Sequence, residues 1–252
     1  MSDQEIVCVL GMHRSGTSLF TKILNLTGVE LGQHTLLTTE PFSDNPKGYW
    51  EHSALTGISD AIIKRYGGTW DQPPILREHW ENDVRLDDLR RNARRIIDEE
   101  FSQAKMWGWK DPRTCLTLPF WQQLLPQMRY IICLRNPIDV AASLKRRDGF
   151  SDEKSFRLWL TYVTAALKQT EGKRRLLVVY EDLMNDCLSE LGRLAEFLGT
   201  SESAEIGKAV QEFIDPRLHH HRSPIEPKEA GSDIKQYARV LYLTLRFSEN
   251  FA

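Results

Sequence analysis

The sequence predicts an α/β fold in which a parallel sheet lies between two layers of helices. Four short apolar runs alternate along the chain with longer segments that have the periodicity of amphipathic helices. The runs are apolar along their whole length, which is typical of strands buried on both faces of a parallel sheet. The chain has 252 residues, 41% of them hydrophobic. We expect it to form a single domain over residues 1–252.

Short runs rich in β-branched and aromatic residues mark the four predicted strands. They are "IVCVL" (6–10), "KMWGW" (105–109), "RYIICLR" (129–135) and "RRLLVVY" (174–180). In open parallel sheets, ligands bind beyond the carboxyl ends of the strands. The residues that directly follow each run are therefore the first place to look for a functional site.

The segments between the strands have helical spacing of their apolar residues. The first helix is expected over 17–28, and it ends at a glycine. Residues 32–50 form a long polar loop, and a loop of this length inside a compact domain is usually functional. The remaining helices are predicted at 51–66, 83–104, 113–125, 137–147, 153–171, 187–198 and 203–214, with a last one packed on the core around Ile234–Leu245.

The composition argues against several classes of protein. The formal net charge is −2, so no basic field favours a nucleic-acid partner. No apolar run approaches the roughly 20 residues that span a bilayer, and the acidic N-terminal segment does not resemble a signal peptide. The four cysteines are scattered without a CxxC pair, which favours reduced thiols. We expect a cytoplasmic protein without a membrane span.

The loop after the first strand has the spacing of a phosphate-binding loop. Gly11 and Gly16 are separated by four residues, and Thr17 and Ser18 follow. Backbone N–H groups at a helix N-terminus attract an anion, and the glycines let the backbone turn tightly. A nucleoside triphosphatase would have Lys in place of Thr17, so Arg14 must supply the positive charge here. The alternative is a strand–helix turn that binds nothing.

A second candidate anion site follows the third strand. Arg135 ends the strand, Pro137 suits the first turn of a helix, and Ser143 lies about two turns further on. Arg135 and Ser143 could hold one phosphate through charge-assisted hydrogen bonds. The alternative is an Arg in a salt bridge at a strand end and a Ser packed in the middle of a helix.

Several motifs together resemble the sulfotransferase family that uses 3′-phosphoadenylyl sulfate (PAPS). "HRSGTS" (13–18) is similar to the family's loop for the 5′-phosphosulfate, and "LRNPIDVAASL" (134–144) to its 3′-phosphate motif. "VVYEDL" (178–183) resembles the family's fourth-strand segment. "GWKDPR" (108–113) and "DNPKGYWE" (44–51) resemble a bacterial branch of the family.

The resemblance runs in order from about residue 6 to residue 222. It implies the P-loop NTPase-like sulfotransferase fold, PAPS as the co-substrate, and no metal ion. It also implies that Tyr180 lies near the adenine, although that ring could equally fill the core, and that Arg222 or His221 reaches the 3′-phosphate or the acceptor. The 5′-phosphosulfate is assigned to Arg14, Ser15, Gly16, Thr17 and Ser18, and the 3′-phosphate to Arg135 and Ser143.

Two further details bear on the cofactor. Relatives often have Trp after the loop to stack on adenine, but Leu19 stands there in this chain. The run "LHHHR" (218–222) is a weak metal candidate, because consecutive His side chains point in different directions and rarely complete one ligand set. We therefore predict no metal site.

The resemblance also implies catalytic roles. Arg14 stands where many relatives have a catalytic Lys, and it would act by charge and hydrogen bonding near the bridging oxygen. Lys110 would contact the sulfuryl oxygens or the leaving phosphate. No His follows the second strand, so Glu51 is the expected base; its alternative role is an acid at a helix N-terminus. Asp111 is the second candidate base, or else it holds Lys110 or Arg113.

We therefore predict a sulfotransferase that moves a sulfuryl group from PAPS to a hydroxyl of a sugar, a glycan or a small metabolite. The main alternative is a small-metabolite kinase that uses Mg-ATP, with Asp111 or Asp182 on the metal. A third possibility is a nucleotide-binding module without catalytic activity.

Overall fold

The computed structural model describes residues 4–201, 203–214 and 233–248. Its strands form one parallel sheet of four strands in the order β2-β1-β3-β4. The strands are β1 (Glu5–Gly11), β2 (Met106–Lys110), β3 (Met128–Leu134) and β4 (Arg175–Val179). All four predicted strands are present within one or two residues of the expected bounds.

Helices connect and follow the strands. Each predicted helix is present, and a short helix after β4 is additional. The helices are α1 (Thr17–Leu26), α2 (Ser53–Arg65), α3 (Asp87–Phe101), α4 (Thr114–Leu124), α5 (Pro137–Asp148), α6 (Asp152–Gln169), α7 (Tyr180–Asn185), α8 (Cys187–Leu198), α9 (Ala204–Phe213) and α10 (Asp233–Arg246). Among the described residues, no helix is both long enough and apolar enough to cross a bilayer.

The sheet has a hydrophobic core on each face. In β1, Val7 and Val9 belong to the core shared with Phe20 of α1, whereas Cys8 and Leu10 belong to the core on the opposite face. Successive side chains of a strand point to opposite faces, so the uniformly apolar run of β1 is explained by helices on both sides. The predicted three-layer α/β fold is confirmed.

Two helices begin two or more residues later than predicted, and each difference has a local cause. The predicted helix 83–104 begins only at Asp87, because the Asp83 side chain accepts a hydrogen bond from the Arg85 N–H and stabilises a separate 3₁₀ turn. Glu51 does not open α2, since its N–H and carbonyl both bond to Thr38 in a bridge between loop segments.

The strand order brings the informative loops together. β1 lies between β2 and β3, with Val9 paired to Lys110 and Gly11 paired to Cys133. Because all the strands are parallel, their carboxyl ends meet at one edge of the sheet. The loop of residues 11–18, called here the 11–18 loop, therefore lies between the residues that follow β2 and β3.

Candidate active site

The 11–18 loop depends on one position, Gly16, where any residue with a Cβ atom would be strained. Gly16 has φ 81° and occupies the N-cap position of α1. A Cβ atom at Gly16 would lie 2.4 Å from Cδ2 of Tyr180, the residue that follows β4. The loop thus packs directly on the end of β4, and the N-terminus of α1 opens into a cleft at the sheet edge. This arrangement is suited to an anion.

Arg14 is held in that cleft by three hydrogen bonds. Its Nε donates to the Ser143 hydroxyl (2.9 Å), and its two terminal nitrogens donate to the Asp44 carboxylate (3.1 Å) and the Asp44 carbonyl (2.9 Å). The Tyr49 hydroxyl donates to the same carboxylate at 2.6 Å. Burial and this hydrogen bond raise the pKa of Tyr49 to about 12, so the hydroxyl remains a donor at neutral pH.

Lys110 and Glu51 form an ion pair on the wall of the cleft. Their Nζ and Oε1 atoms are 2.7 Å apart, and the Lys110 side chain is 1% exposed against 14% for Glu51. Nζ also lies 3.4 Å from the Ser18 hydroxyl, and Arg113 stands 3.9 Å from the second carboxylate oxygen of Glu51. The structure therefore brings together Glu51 and Lys110, which are 59 residues apart in the chain.

Asp111 is not placed to act on a substrate. Its Oδ1 accepts hydrogen bonds from the Arg113 N–H (3.0 Å) and guanidinium (2.8 Å), and its side chain is fully buried. Burial raises the pKa of this carboxyl to about 6, against the opposing effect of Arg113. Asp111 does not line the cleft, so its geometry matches a residue that orients Arg113.

Arg135 lies against the ring of Tyr180, with the guanidinium 4.3 Å from the ring centroid. One terminal nitrogen donates to the Arg14 carbonyl at 3.0 Å, which ties β3 to the 11–18 loop. The Nε atom is buried and has no hydrogen-bond partner among the described residues. A buried donor without an acceptor is costly, and an anion entering the cleft would supply that acceptor.

Most of the predicted site residues line one cleft: Arg14, Gly16, Thr17, Ser18, Glu51, Lys110, Arg135 and Tyr180. Ser143 reaches it through its hydrogen bond to Arg14. Ser15 is different, because its hydroxyl is buried without a partner in the described part of the chain and its N–H bonds to the Met12 carbonyl. Leu19 also lines the cleft. Arg222 and His221 lie outside the described residues.

The sequence did not single out His13, which also lines the cleft. Its ring packs against Trp70, with centroids 4.4 Å apart, and against Tyr162 at 5.7 Å. Burial, followed by the charges of nearby cations headed by Arg113, lowers the pKa of His13, so the imidazole is neutral. The available signal was its position directly before Arg14. Asp44 and Tyr49 were also missed as individual residues, although both lie in the "DNPKGYWE" motif.

The cleft has an excess of positive charge. Among the described residues that line it are the cations Arg14, Lys47, Lys110, Arg135 and Arg147, against the carboxylates Asp44 and Glu51. Such a site favours a ligand that carries several negative charges. The sequence model of the sulfotransferase family matches residues 7–204, which include most of β1, all of β2, β3 and β4, and the whole 11–18 loop.

The chain belongs to the sulfotransferase family. Solved structures support the same fold for this sulfotransferase. The sulfotransferase domain of the Synechococcus PCC 7002 olefin synthase is 20% identical, with 94% of each chain covered and a TM-score of 0.53. The sulfotransferase STF9 from Mycobacterium avium is 15% identical, with 99% of this chain and 79% of that chain covered and a TM-score of 0.53.

The sulfotransferase STF1 from Mycobacterium tuberculosis H37Rv is 18% identical, with 82% of this chain and 71% of that chain covered and a TM-score of 0.51. No curated protein sequence matches the chain. At these identities the structural likeness concerns the fold, and the roles of individual residues are argued from the geometry of the cleft.

Proposed function

We propose that this sulfotransferase moves a sulfuryl group from PAPS to a hydroxyl of its acceptor by in-line displacement. The observation that carries the proposal is that Arg14, Lys110 and Arg135 converge on a cleft that the Glu51 carboxylate also lines. Three cations match a co-substrate with two phosphates and a sulfate, and the carboxylate provides a proton acceptor.

The residues of the cleft fit the anionic groups of PAPS. The N-terminus of α1, with Thr17 and Ser18, would bind the 5′-phosphosulfate. The unpartnered Arg135 Nε would donate to the 3′-phosphate. Ser143 accepts a hydrogen bond from Arg14, and its own hydroxyl proton remains available to a phosphate oxygen. The adenine would lie toward Tyr180, whose ring is covered by Arg135 on one face.

The transfer needs one base and one stabilised leaving group. Glu51 would take the proton of the acceptor hydroxyl. At the same time the acceptor oxygen forms a bond to sulfur, and the bond from sulfur to the bridging oxygen breaks. The electron pair of that bond goes to the 5′-phosphate, where Arg14 and Lys110 would stabilise the developing charge. Lys110 contacts Glu51 at 2.7 Å, so the base and the cation are held in one arrangement before the substrates bind.

The geometry disfavours the kinase alternative. Asp182, one expected magnesium ligand, forms an ion pair with Arg246 of α10 and does not line the cleft. Asp111, the other, is fully buried and oriented toward Arg113. Both carboxylates are thus used in contacts that support the structure.

Calorimetric titration with 3′-phosphoadenosine 5′-phosphate (PAP), the product of PAPS, tests the proposed co-substrate. We expect binding in the micromolar range that EDTA does not change, and much weaker binding of 5′-AMP, which lacks the 3′-phosphate. Titration with ATP and Mg²⁺ is the parallel trial. Clear Mg-ATP binding without PAP binding would replace the sulfotransfer proposal with the kinase alternative.

Gly16→Ala is expected to lower both stability and PAP affinity, because the new Cβ would meet Tyr180 at 2.4 Å in addition to the strain of φ 81°. Gly199→Ala is the matched control: Gly199 has φ 73° but nothing within 4 Å of its Cβ position. The control should cost about 1–2 kcal/mol of unfolding free energy for backbone strain alone and should leave PAP affinity unchanged. Equal losses in the two variants would show that the contact with Tyr180 is unimportant.

The proposed acceptor is a sugar, a glycan or a small metabolite with a free hydroxyl. A panel of such compounds, incubated with ³⁵S-labelled PAPS, would identify it by the appearance of label in the acceptor. The cytoplasmic location and the single-domain organisation remain predictions.

A further inference from the structure

A tight turn in the long loop presents Asp44 to the 11–18 loop. Phe42 and Asn45 exchange two backbone hydrogen bonds across this turn, called here the 42–45 turn. The Asn45 side chain adds a hydrogen bond to the Gly48 carbonyl at 2.6 Å. The turn is therefore ordered by its own hydrogen bonds, and it brings Asp44 to the 11–18 loop.

Asp44 occupies the edge of the Arg14 guanidinium formed by its two terminal nitrogens, an edge suited to bidentate binding of an anion. Its carboxylate and its carbonyl accept from the two terminal nitrogens of the guanidinium, at 3.1 and 2.9 Å. Ser143 takes the third nitrogen. Arg14 and Asp44 are both partly buried, with side chains 20% and 23% exposed, and both line the cleft.

A ligand anion and the Asp44 carboxylate would compete for the same cation. If a phosphosulfate or phosphate bound Arg14 while Asp44 stayed in place, two anions would face each other across one guanidinium, and like charges at that distance repel. We propose that Asp44 is an internal competitor of the phosphosulfate group, which occupies Arg14 in the free enzyme and leaves it when the co-substrate binds. This inference rests on the proposed function.

The rest of the loop can stay in place while Asp44 leaves. Lys47 donates to the Phe213 carbonyl at the end of α9, and the Trp50 indole donates to the Lys47 carbonyl at 2.7 Å. Gly48, with φ 77°, lies between these anchors. The Lys47–Trp50 segment is thus fixed to α9, and the Asn45 side chain ties the 42–45 turn to it through the Gly48 carbonyl. On the cleft side, Asp44 contacts Arg14 and Tyr49, and the Asn45 amide lies 3.5 Å from the Ser18 hydroxyl.

Competition reduces the apparent affinity for the ligand: the intrinsic affinity is multiplied by the fraction of molecules in which Arg14 is free of Asp44. Asp44→Asn keeps the size and the hydrogen-bonding oxygen of the side chain but removes its charge. We expect this variant to bind PAP about two- to fivefold more tightly than the wild type, a gain typical of one partly screened ion pair. The affinity for 5′-AMP should rise by a similar factor, since both probes carry the 5′-phosphate.

Two control variants separate the charge of Asp44 from other effects. Asp44→Glu keeps the carboxylate and should bind PAP no more tightly than the wild type. Asp71→Asn removes the same charge from a carboxylate that pairs with Lys154 and does not line the cleft, and it should leave PAP affinity unchanged. Calorimetry and thermal unfolding of all the variants would be measured together.

Weaker or unchanged PAP binding by a folded Asp44→Asn variant would overturn the inference, because Asp44 would then support Arg14 in the complex. If Asp44→Asn does not fold, the PAP affinity of Asp44→Ala is measured instead. Tighter binding than the wild type supports the inference, and weaker or unchanged binding overturns it. Failure of the proposed function has a different result: neither the wild type nor any variant would bind PAP.

Discussion

Glu51→Gln is expected to lower turnover by about 10²–10⁴-fold, the usual contribution of a general base. The amide is the same size as the carboxylate, and its oxygen can still accept the hydrogen bond from Lys110 at 2.7 Å. What is lost is the ability to take the acceptor proton. Turnover would be measured as PAP released from PAPS in the presence of an acceptor found in the panel.

The same variant should bind PAP with nearly the affinity of the wild type, because Glu51 is assigned to the acceptor and not to the phosphates. Glu99→Gln is the matched control: Glu99 is exposed on α3 and pairs with Arg95, so its replacement should change neither turnover nor binding. Turnover close to that of the wild type in Glu51→Gln would remove Glu51 as the base. His13, whose neutral imidazole also lines the cleft, would then be the next candidate base.

Arg135→Ala is expected to weaken PAP binding by roughly 10- to 100-fold, the range for losing one or two hydrogen bonds to a charged group. The side chain carries a buried Nε without a partner in the described residues, and a 3′-phosphate would satisfy it. Affinity for 5′-AMP should change far less, since that probe has no 3′-phosphate. Calorimetry with the two nucleotides measures both quantities on one preparation.

The comparison between the two nucleotides is needed because Arg135 also supports the 11–18 loop. It donates to the Arg14 carbonyl at 3.0 Å, so its removal could disturb the 5′-phosphosulfate site indirectly. Equal losses for PAP and 5′-AMP would show such a disturbance and would contradict a contact with the 3′-phosphate. Arg174→Ala is the control: this exposed residue donates to the Phe197 carbonyl, outside the cleft.

Local sequence was sufficient to predict the secondary structure of this sulfotransferase and most of its cleft. The uniformly apolar strands and the alternating helices predicted a covered parallel sheet. Because the carboxyl ends of parallel strands meet at one edge, Gly16, Lys110 and Arg135 could be assigned to one site before the structure was known. Their motifs are continuous in the sequence, so the resemblance to the sulfotransferase family indicated them.

The sequence was less informative where the deciding contact lies outside the apolar pattern, whether that contact is local or long-range. Residues 83–86 have the composition of the helix that follows, but the Asp83 side chain caps a separate turn there. For Tyr180 the sequence left two positions open, near the adenine or in the core, and the structure places its ring against Gly16 and Arg135 in the lining of the cleft. His13 gave no periodic signal, because its neighbours Trp70 and Tyr162 are distant in the chain.

The sequence by itself determined the fold class, the family and the identity of the residues at the strand ends, since each depends on patterns within a few neighbouring positions. Only the tertiary structure decided which of these residues touch. The pairs Lys110–Glu51 and Arg14–Asp44 join segments 59 and 30 residues apart. These contacts depend on the distance between the side chains and on their burial in the folded chain, and no local sequence pattern encodes either quantity.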